Sequence, residues 1–520
     1  MDLGTVLRWT AERHPHHRAV GGDDPLTYGQ WDARTNRLAR ALAHLGVRPK
    51  DRLALLLSGG EPVASLHLAA QKLGAVSVPL SVRFGVDELE HCLRDAVPAL
   101  LVTDSETAEL ADRAFGRWSA VPRAHSGPAG DAPTGVVPLD SVAERQSDGA
   151  VEAGASDGDL SVMLYTSGTT SMPKGVPRTH RAEHQAAVAH LLQTRQAPFE
   201  PSLGVMPLFH TMGLRSLLAS VVAAGTWVPQ ARFDADEALR LITAERISAL
   251  YLVPTVYWGL LRTGRLGEAR SVRKLAYAGA AMTPELAEQL AGVLEPEVFV
   301  NHFGSTEIYT FTIGSDVVAK PGCAGRPGIF SRVRLVEIDP LASPENVVRP
   351  GEQGQVAVSM DSPEAFGGYW QRPEADARTI RDGWYFPGDL GVRDEDGDLW
   401  VSGRIDDMIN SGGENIHPDE VEHALARCAA VAEVVVAGVP DERWGQAVTA
   451  FFVPAAGCST EWAAAELARF ARDDAGLPSL KRPKRLVGVD GVPKSGVGKL
   501  LRRELVTGNY TPLTETALGG

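Results

Sequence analysis

Short apolar runs alternate with helix-period segments through the first part of the chain, and that alternation restricts it to sheets whose strands run mainly parallel. Residues 31–45 carry Leu38, Leu42 and Leu45 at helical spacing and stop at Gly46. Residues 53–57 read as a short apolar strand, 61–73 as a helix closed by Gly74, and 76–80 and 100–103 as two further strands. A strand followed by a helix and another strand needs a crossover, which places the two strands parallel. Residues 126–159, rich in Gly, Ala, Pro, Ser and Asp, read as a long surface connection. The alternation then resumes with a helix at 180–192, a strand at 204–208 leading into Phe209 and His210, a helix at 235–244 and strands at 249–253, 275–278 and 298–301. The last two strands run into Gly279-Ala280-Ala281 and His302-Phe303-Gly304. Small and polar residues therefore collect at the C-terminal strand ends, the edge where open α/β sheets bind ligands.

From residue 333 the pattern becomes all-β, with strands at 333–338, 355–360, 384–386 and 399–401 and a hairpin turn at Asp394-Glu395-Asp396-Gly397. It changes again near 405. Pro418 suits the first position of a helix reaching 427, strands follow at 431–438 and 448–454, and a helix covers 462–473. The expected fold class is α/β: a large N-terminal domain of βαβ-type sheets with a β-rich subdomain, then a small α+β domain. The boundaries are 1–404 and 405–520.

Between the two βαβ blocks lies Leu164-Tyr165-Thr166-Ser167-Gly168-Thr169-Thr170-Ser171-Met172-Pro173-Lys174. The apolar residues Val162, Met163 and Leu164 read as the end of a buried strand. Backbone N–H groups and hydroxyls of the following loop can converge on one point, and Lys174 adds a positive charge, as a polyphosphate requires. A plain surface turn has the same composition. The spacing is not that of a Walker A loop. With 51 basic against 65 acidic residues and a net charge of −14, the chain is a poor general binder of nucleic acid. Any phosphate ligand therefore needs local basic clusters. Cys92, Cys323, Cys428 and Cys458 form no Cys-x-x-Cys pair and read as free thiols of a reducing, cytoplasmic compartment. No apolar run approaches a membrane span, and no signal peptide is evident.

The loop, together with Gly304-Ser305-Thr306-Glu307, Gly388-Asp389-Leu390, Gly403-Arg404-Ile405-Asp406-Asp407 and Pro493-Lys494 through Lys499, resembles the acyl-adenylate-forming enzymes. That superfamily comprises acyl-CoA synthetases, luciferases and peptide-synthetase adenylation domains. The Asp406-Asp407-Met408-Ile409-Asn410-Ser411-Gly412-Gly413-Glu414 stretch, Arg443-Trp444 and Lys481-Arg482-Pro483-Lys484-Arg485 make it most similar to aryl-CoA ligases of the 4-chlorobenzoate type. The resemblance implies ATP, Mg²⁺ and coenzyme A as cofactors and a small-molecule carboxylic acid as substrate. A homodimer is compatible with it.

By the resemblance, Thr166, Ser167, Gly168, Thr169, Thr170 and Lys174 hold the β and γ phosphates. Gly279, Ala280 and Ala281 lie against adenine, with Phe303 on its other face; Asn301, Gly304 and Thr306 complete that side. Glu307 is the magnesium carboxylate, a hard ligand suited to Mg²⁺. Asp389 accepts from the ribose hydroxyls and Arg404 lies beside it. Lys499 bridges the carboxylate and α-phosphate during adenylation. The small domain then turns about Asp406, bringing in Gly412 and Gly413 beside the pantetheine arm. Trp444, Arg482 and Lys484 contact the CoA nucleotide. Without the family, Gly279 to Ala281 would fit a close helix–strand contact, Lys499 one charge in a basic tail, and the 481–485 run a solvated basic surface.

The same match surrounds the acyl group with Ala189, His210, Thr211, Met212, Tyr251, Ala278, His302, Gly304, Tyr309 and Thr310. His210 is a gate and substrate contact; a buried structural histidine is its alternative. Ala189 stands where the aryl ligase has Phe, and His302 where it has Ile. A bulkier cyclic or oxygenated acid is expected. Two departures bear on ATP: Ser171 replaces the loop glycine, and Pro387 stands where Thr is common. Each can weaken the adenylating step. Four functions follow: a complete acyl-CoA ligase, an enzyme that thioesterifies a preformed acyl-adenylate, one that loads a carrier protein, and a non-catalytic acyl or adenylate binder. Joint retention of Lys499, Asp389 and Glu307 disfavours the last.

Overall fold

The computed structural model describes residues 1–115, 121–152, 154–166, 172–339, 341–411, 414–494 and 500–518. The chain forms two compact units, Met1–Val333 with Val358–Tyr385, and Arg334–Ala357 with Phe386–Gly520.

The first unit is built on two largely parallel sheets, as the alternation predicts. In the seven-stranded sheet, Arg52–Leu56, Val76–Pro79 and Leu100–Thr103 run parallel, and Val76–Pro79 leads on to Leu160–Thr166. In the nine-stranded sheet, Pro201–Gly204, Ala249–Leu252, Lys274–Ala278 and Val298–Phe303 are parallel neighbours. Helices on the sheet faces bury Trp31, Tyr28, Trp227, Tyr257 and Tyr277. The hydroxyl of Tyr257 donates to the carbonyls of Leu250 and Ala276 at 3.0 and 2.9 Å, so the buried phenol is satisfied.

Three local features differ from the sequence reading. The strand expected at 204–208 ends at Gly204. Pro207 cannot donate to a ladder, and its carbonyl instead accepts from His210 N at 3.0 Å to make a turn. His210 then caps a helix, Thr211–Val222, that the sequence reading lacked. This helix is buried from Met212 to Val221 and so has no polar face to reveal its period. Gly213 lets it start there, because a Cβ would sit 2.3 Å from the Pro207 carbonyl oxygen. The expected connection at 126–159 also contains a short strand, Val137–Pro138, and a helix, Leu139–Glu144, anchored by buried Leu139 and Ala143.

In the second unit Asp389–Arg393 pairs antiparallel with Leu399–Arg404, and Gln353 to Gln355 pair with Leu390 to Val392. The Asp394–Gly397 turn joins that hairpin, with Gly397 at φ +85°. The one-turn helix Ile405–Asp407 leads into an α+β portion. Its sheet runs Glu414–Ile416, Ile409–Ser411, Gly445–Pro454, Arg485–Val489, Pro512–Ala517, with Val431–Asp441 also on Gly445–Pro454. Helices Pro418–Leu425 and Thr460–Asp473 cover a core of Val421, Leu425, Val436, Phe452, Leu467 and Leu486. The expected α/β class holds. No described helix is long and apolar enough to cross a membrane.

Candidate active site

The hydroxyl-rich loop connects an antiparallel hairpin. Leu160–Thr166 pairs with Lys174–Thr179, and Thr166 lies opposite Lys174 at its mouth. Ser167, Gly168, Thr169, Thr170 and Ser171 lie outside the described residues, as do Gly412, Gly413 and Lys499. The Lys174 ammonium is 5.1 Å from the Tyr369 ring centroid, and the Gly175 carbonyl accepts from Trp370 N at 2.9 Å.

Glu307 sits on the turn that follows Val298–Phe303. Ser305 N donates to the Ile308 carbonyl at 3.0 Å, and Glu307 N donates to Ser305 Oγ at 3.2 Å. Gly304 is required because a Cβ would lie 2.1 Å from the Tyr309 carbonyl oxygen. Glu307 is buried, and its Oε1 accepts from the Tyr369 hydroxyl at 2.7 Å. Burial, then the Glu307 charge, push the Tyr369 phenol up, so the hydroxyl stays a donor. Among the described residues Glu307 has no ion-pair partner. A carboxylate oriented by a neutral donor presents a hard oxygen that fits Mg²⁺.

Arg178, on the same hairpin, holds this turn in place. Its guanidinium is wholly buried, donates to the Thr306 and Glu307 carbonyls at 3.0 and 3.1 Å, and pairs with buried Glu183. It also lies 3.6 Å over the Tyr309 ring, whose hydroxyl donates to Glu183 at 3.1 Å. The strand that flanks the loop thus grips the turn that presents Glu307.

Some of the residues expected around the acyl group stand on neighbouring strands and a covering helix. Tyr251 stands on Ala249–Leu252, Ala278 ends its strand opposite His302, and Ala189 and His190 lie on the His180–Thr194 helix. The rings of His190, Tyr251 and His302 form a triangle with centroids 4.7, 5.4 and 5.2 Å apart. Arg215 Nη1 is 3.1 Å from His302 Nδ1. The Arg215 guanidinium lies 5.0 Å from the Tyr309 ring and 4.0 Å from Glu364. Burial first, and then Arg215, hold His190 down at about 3. Burial, Arg215 and His190 hold His302 well below the usual histidine range. Both rings are therefore neutral at physiological pH.

Other expected residues are placed as follows. Half-buried His210 accepts from Met212 N at 3.3 Å through Nδ1; Thr211 is half-buried, while Met212 and Thr310 are buried. Gly279, Ala280 and Ala281 form an exposed ledge after their strand. Phe303 packs edge-on to Phe311 at 5.2 Å. The Asn301 amide donates to the Cys323 carbonyl at 2.9 Å.

In the second unit Asp389 and Arg404 are opposite each other on paired strands and bridge at 3.2 Å. Arg404 Nη2 donates to the Pro387 carbonyl at 2.8 Å, so Pro387 lacks an N–H but its oxygen is engaged. The half-buried Trp444 indole lies 4.7 Å from the Arg443 guanidinium and 5.1 Å from the Lys484 ammonium. Burial first, and then the Arg482 and Arg443 charges, push Lys484 down. Cations grouped around one indole suit an anionic nucleotide. Arg178, Glu183, Arg215, Glu364, His190 and Tyr369 were absent from the sequence reading.

The AMP-binding enzyme family model matches residues 7–370, and the AMP-binding enzyme C-terminal domain model matches residues 420–499. A feruloyl-CoA synthase of Amycolatopsis sp. is 36% identical over 512 residues, covering 97% of this chain and 98% of its own. A 4-chlorobenzoate–CoA ligase of Arthrobacter sp. is 32% identical over 520 residues, covering 96% and 94%. Among solved structures, o-succinylbenzoate CoA synthetase (MenE) from Bacillus subtilis, in complex with its acyl-adenylate intermediate, aligns with TM-score 0.82 at 27% identity, covering 96% of this chain and 97% of that one.

Proposed function

The chain belongs to the AMP-binding enzyme family, and from that premise we propose that it is an AMP-forming ligase joining a bulky cyclic or aryl carboxylic acid to coenzyme A. The observation that carries the reading is the shared support of loop and acid: Arg178 ties the Lys174–Thr179 strand to the Thr306 and Glu307 backbone, and Tyr369 orients the Glu307 side chain.

A free carboxylate resists a thiol because it is anionic and has a poor leaving group. Attack of its oxygen on the α-phosphate of ATP forms the acyl-adenylate and releases pyrophosphate. Attack of the CoA sulfur on the acyl carbon then forms the thioester and releases AMP. Both steps develop negative charge that fixed cations and N–H donors can stabilise. Thr166, Lys174 and the loop between them would hold the phosphates, and Lys499 the carboxylate and α-phosphate. Asp389 and Arg404 would hold the ribose, and Gly279, Ala280, Ala281 and Phe303 the adenine. Mg²⁺ at Glu307 would supply further neutralisation of phosphate charge. Residues 405–520 would turn as a body about Asp406, exchanging Lys499 for Gly412 and Gly413. The four free cysteines suit a reducing cytoplasm. Thioester formation from ATP, CoA and a panel of aryl and other cyclic acids tests this assignment.

The Trp444 cluster favours CoA over a carrier protein. Trp444→Ala and Arg482→Glu are each expected to raise the Michaelis constant for CoA about 10-fold, with the ATP constant nearly unchanged. Unaltered CoA saturation in both variants would move the nucleotide elsewhere and favour carrier-protein loading.

A further inference from the structure

We propose that a cavity beside Lys174 is a departure site for pyrophosphate, holding the leaving group once its bond to the α-phosphate has broken; this rests on the ligase reading above. The cavity measures about 280 Å³. Among the described residues, Lys174, Arg372 and Arg378 bring three cations to its wall, with His91 beside them and Glu374 as the anion. These residues come from separate elements. Lys174 begins the second strand of the loop hairpin, His91 lies on the Val86–Ala96 helix, and Arg378 lies on the Pro373–Thr379 helix. In a chain of net charge −14, such a cluster reverses the field locally.

Two of the three cations are uncommitted. Among the described residues, neither Lys174 nor exposed Arg378 has a hydrogen-bond or ion-pair partner. Arg372 is held by Asp95 at 2.6 Å and by the Gln371 carbonyl at 3.2 Å, which engages two of its five N–H groups and leaves three for a ligand. His91 Nε2 lies 3.0 Å from the Pro173 carbonyl, so it donates there and ties its helix to the end of the loop. Lys174 is steadied by the Tyr369 ring, and the hydroxyl of the same tyrosine donates to Glu307 at 2.7 Å. One side chain thus joins the carboxylate read as the magnesium ligand to a lysine on the cavity wall, while Glu307 itself does not line the cavity. A water needs only about 10–15 Å³ of such space, so a diphosphate fits together with several waters. Charged N–H donors are the partners that phosphate oxygens bind most strongly. Pyrophosphate left in line with a new acyl-adenylate is the nucleophile of the reverse reaction. Its transfer past Lys174 to Arg372 and Arg378 separates the two products, and no bond forms or breaks in the cavity.

In the test, inorganic pyrophosphate with Mg²⁺ is titrated calorimetrically into the full-length protein holding AMP. Its inhibition of ATP-dependent thioester formation is measured alongside. Arg378→Glu should weaken pyrophosphate in both measurements by at least about 10-fold, the effect of losing a charge-assisted contact, while the Michaelis constant for ATP shifts by less than about 3-fold. Arg378→Lys should restore part of the loss. Glu374→Gln should tighten pyrophosphate by about 2–5-fold, a gain that impaired folding cannot produce. Equal shifts for pyrophosphate and ATP in Arg378→Glu would overturn the proposal, because Arg378 would then serve the bound triphosphate. Unchanged pyrophosphate affinity in that variant would overturn it too, as would sulfate binding to the parent as tightly as pyrophosphate. Arg378-dependent pyrophosphate binding without thioester formation from any acid would keep the diphosphate site and defeat the ligase reading; thioester formation with Arg378-independent binding would do the reverse.

Discussion

Lys499→Ala is expected to slow acyl-adenylate formation by about 10²–10³-fold, while CoA attack on a supplied acyl-adenylate stays close to the parent rate. The magnitude is that of removing one fixed charge or donor from a developing anion. The selectivity follows from the proposed alternation of two poses, in which Lys499 would serve only the first. The substitution should spare the fold. Upstream, Lys494 bridges to Leu500 and pairs with Glu433 at 2.6 Å. Downstream, Arg502 binds Asp407 at 3.3 Å, Glu422 at 2.7 Å and also Asp419. Pyrophosphate release measures the first step and thioester formation from synthetic acyl-adenylate the second. An equal fall in both would defeat the assignment of Lys499 to one pose.

Arg178→Met is expected to destabilise the protein by about 3–5 kcal/mol, because it leaves the Glu183 carboxylate buried without its cation. It also frees the Thr306 and Glu307 carbonyls from donors at 3.0 and 3.1 Å. Arg178→Met with Glu183→Gln should recover part of the loss, since the buried charge is then gone along with its partner. Denaturant titration of the parent, both single variants and the double variant measures the coupling. A loss under about 1 kcal/mol for Arg178→Met would mean that the pair is more hydrated than its burial indicates. The surviving Arg178→Met enzyme should also show a raised Michaelis constant for ATP, because the turn that presents Glu307 would be loosened.

The parts of the candidate site that the sequence suggests are those whose residues are contiguous. The hydroxyl run before Lys174, the Gly304 to Glu307 turn and the Asp389 and Arg404 motifs each fall within a few residues, so their chemistry is visible as text. Their supports are not contiguous. Glu307 is held by Tyr369, and the Thr306 carbonyl by Arg178. Arg178 and Glu183 look like ordinary polar positions around the start of a helix, and nothing nearby in sequence marks them as buried. Arg215 was hidden for a different reason. It lies in a helix buried along nearly its whole length, where the apolar run gives no amphipathic period. The parallel sheets were readable because strand and helix periods alternate cleanly. The end of the strand at Gly204 was not, because the apolar run continues beyond it to Leu208.

The central claim is that one site performs both halves of the ligation despite Ser171 and Pro387. Serine in place of glycine raises the cost of left-handed backbone angles by about 1–2 kcal/mol, roughly a tenfold effect and not a loss of function. The direct measurement is pyrophosphate release and thioester formation, followed separately with ATP, CoA and a panel of cyclic acids. The account predicts acid-dependent pyrophosphate release without CoA, and stoichiometric thioester once CoA is added. Undetectable pyrophosphate with every acid, alongside rapid turnover of synthetic acyl-adenylates with CoA, would contradict it.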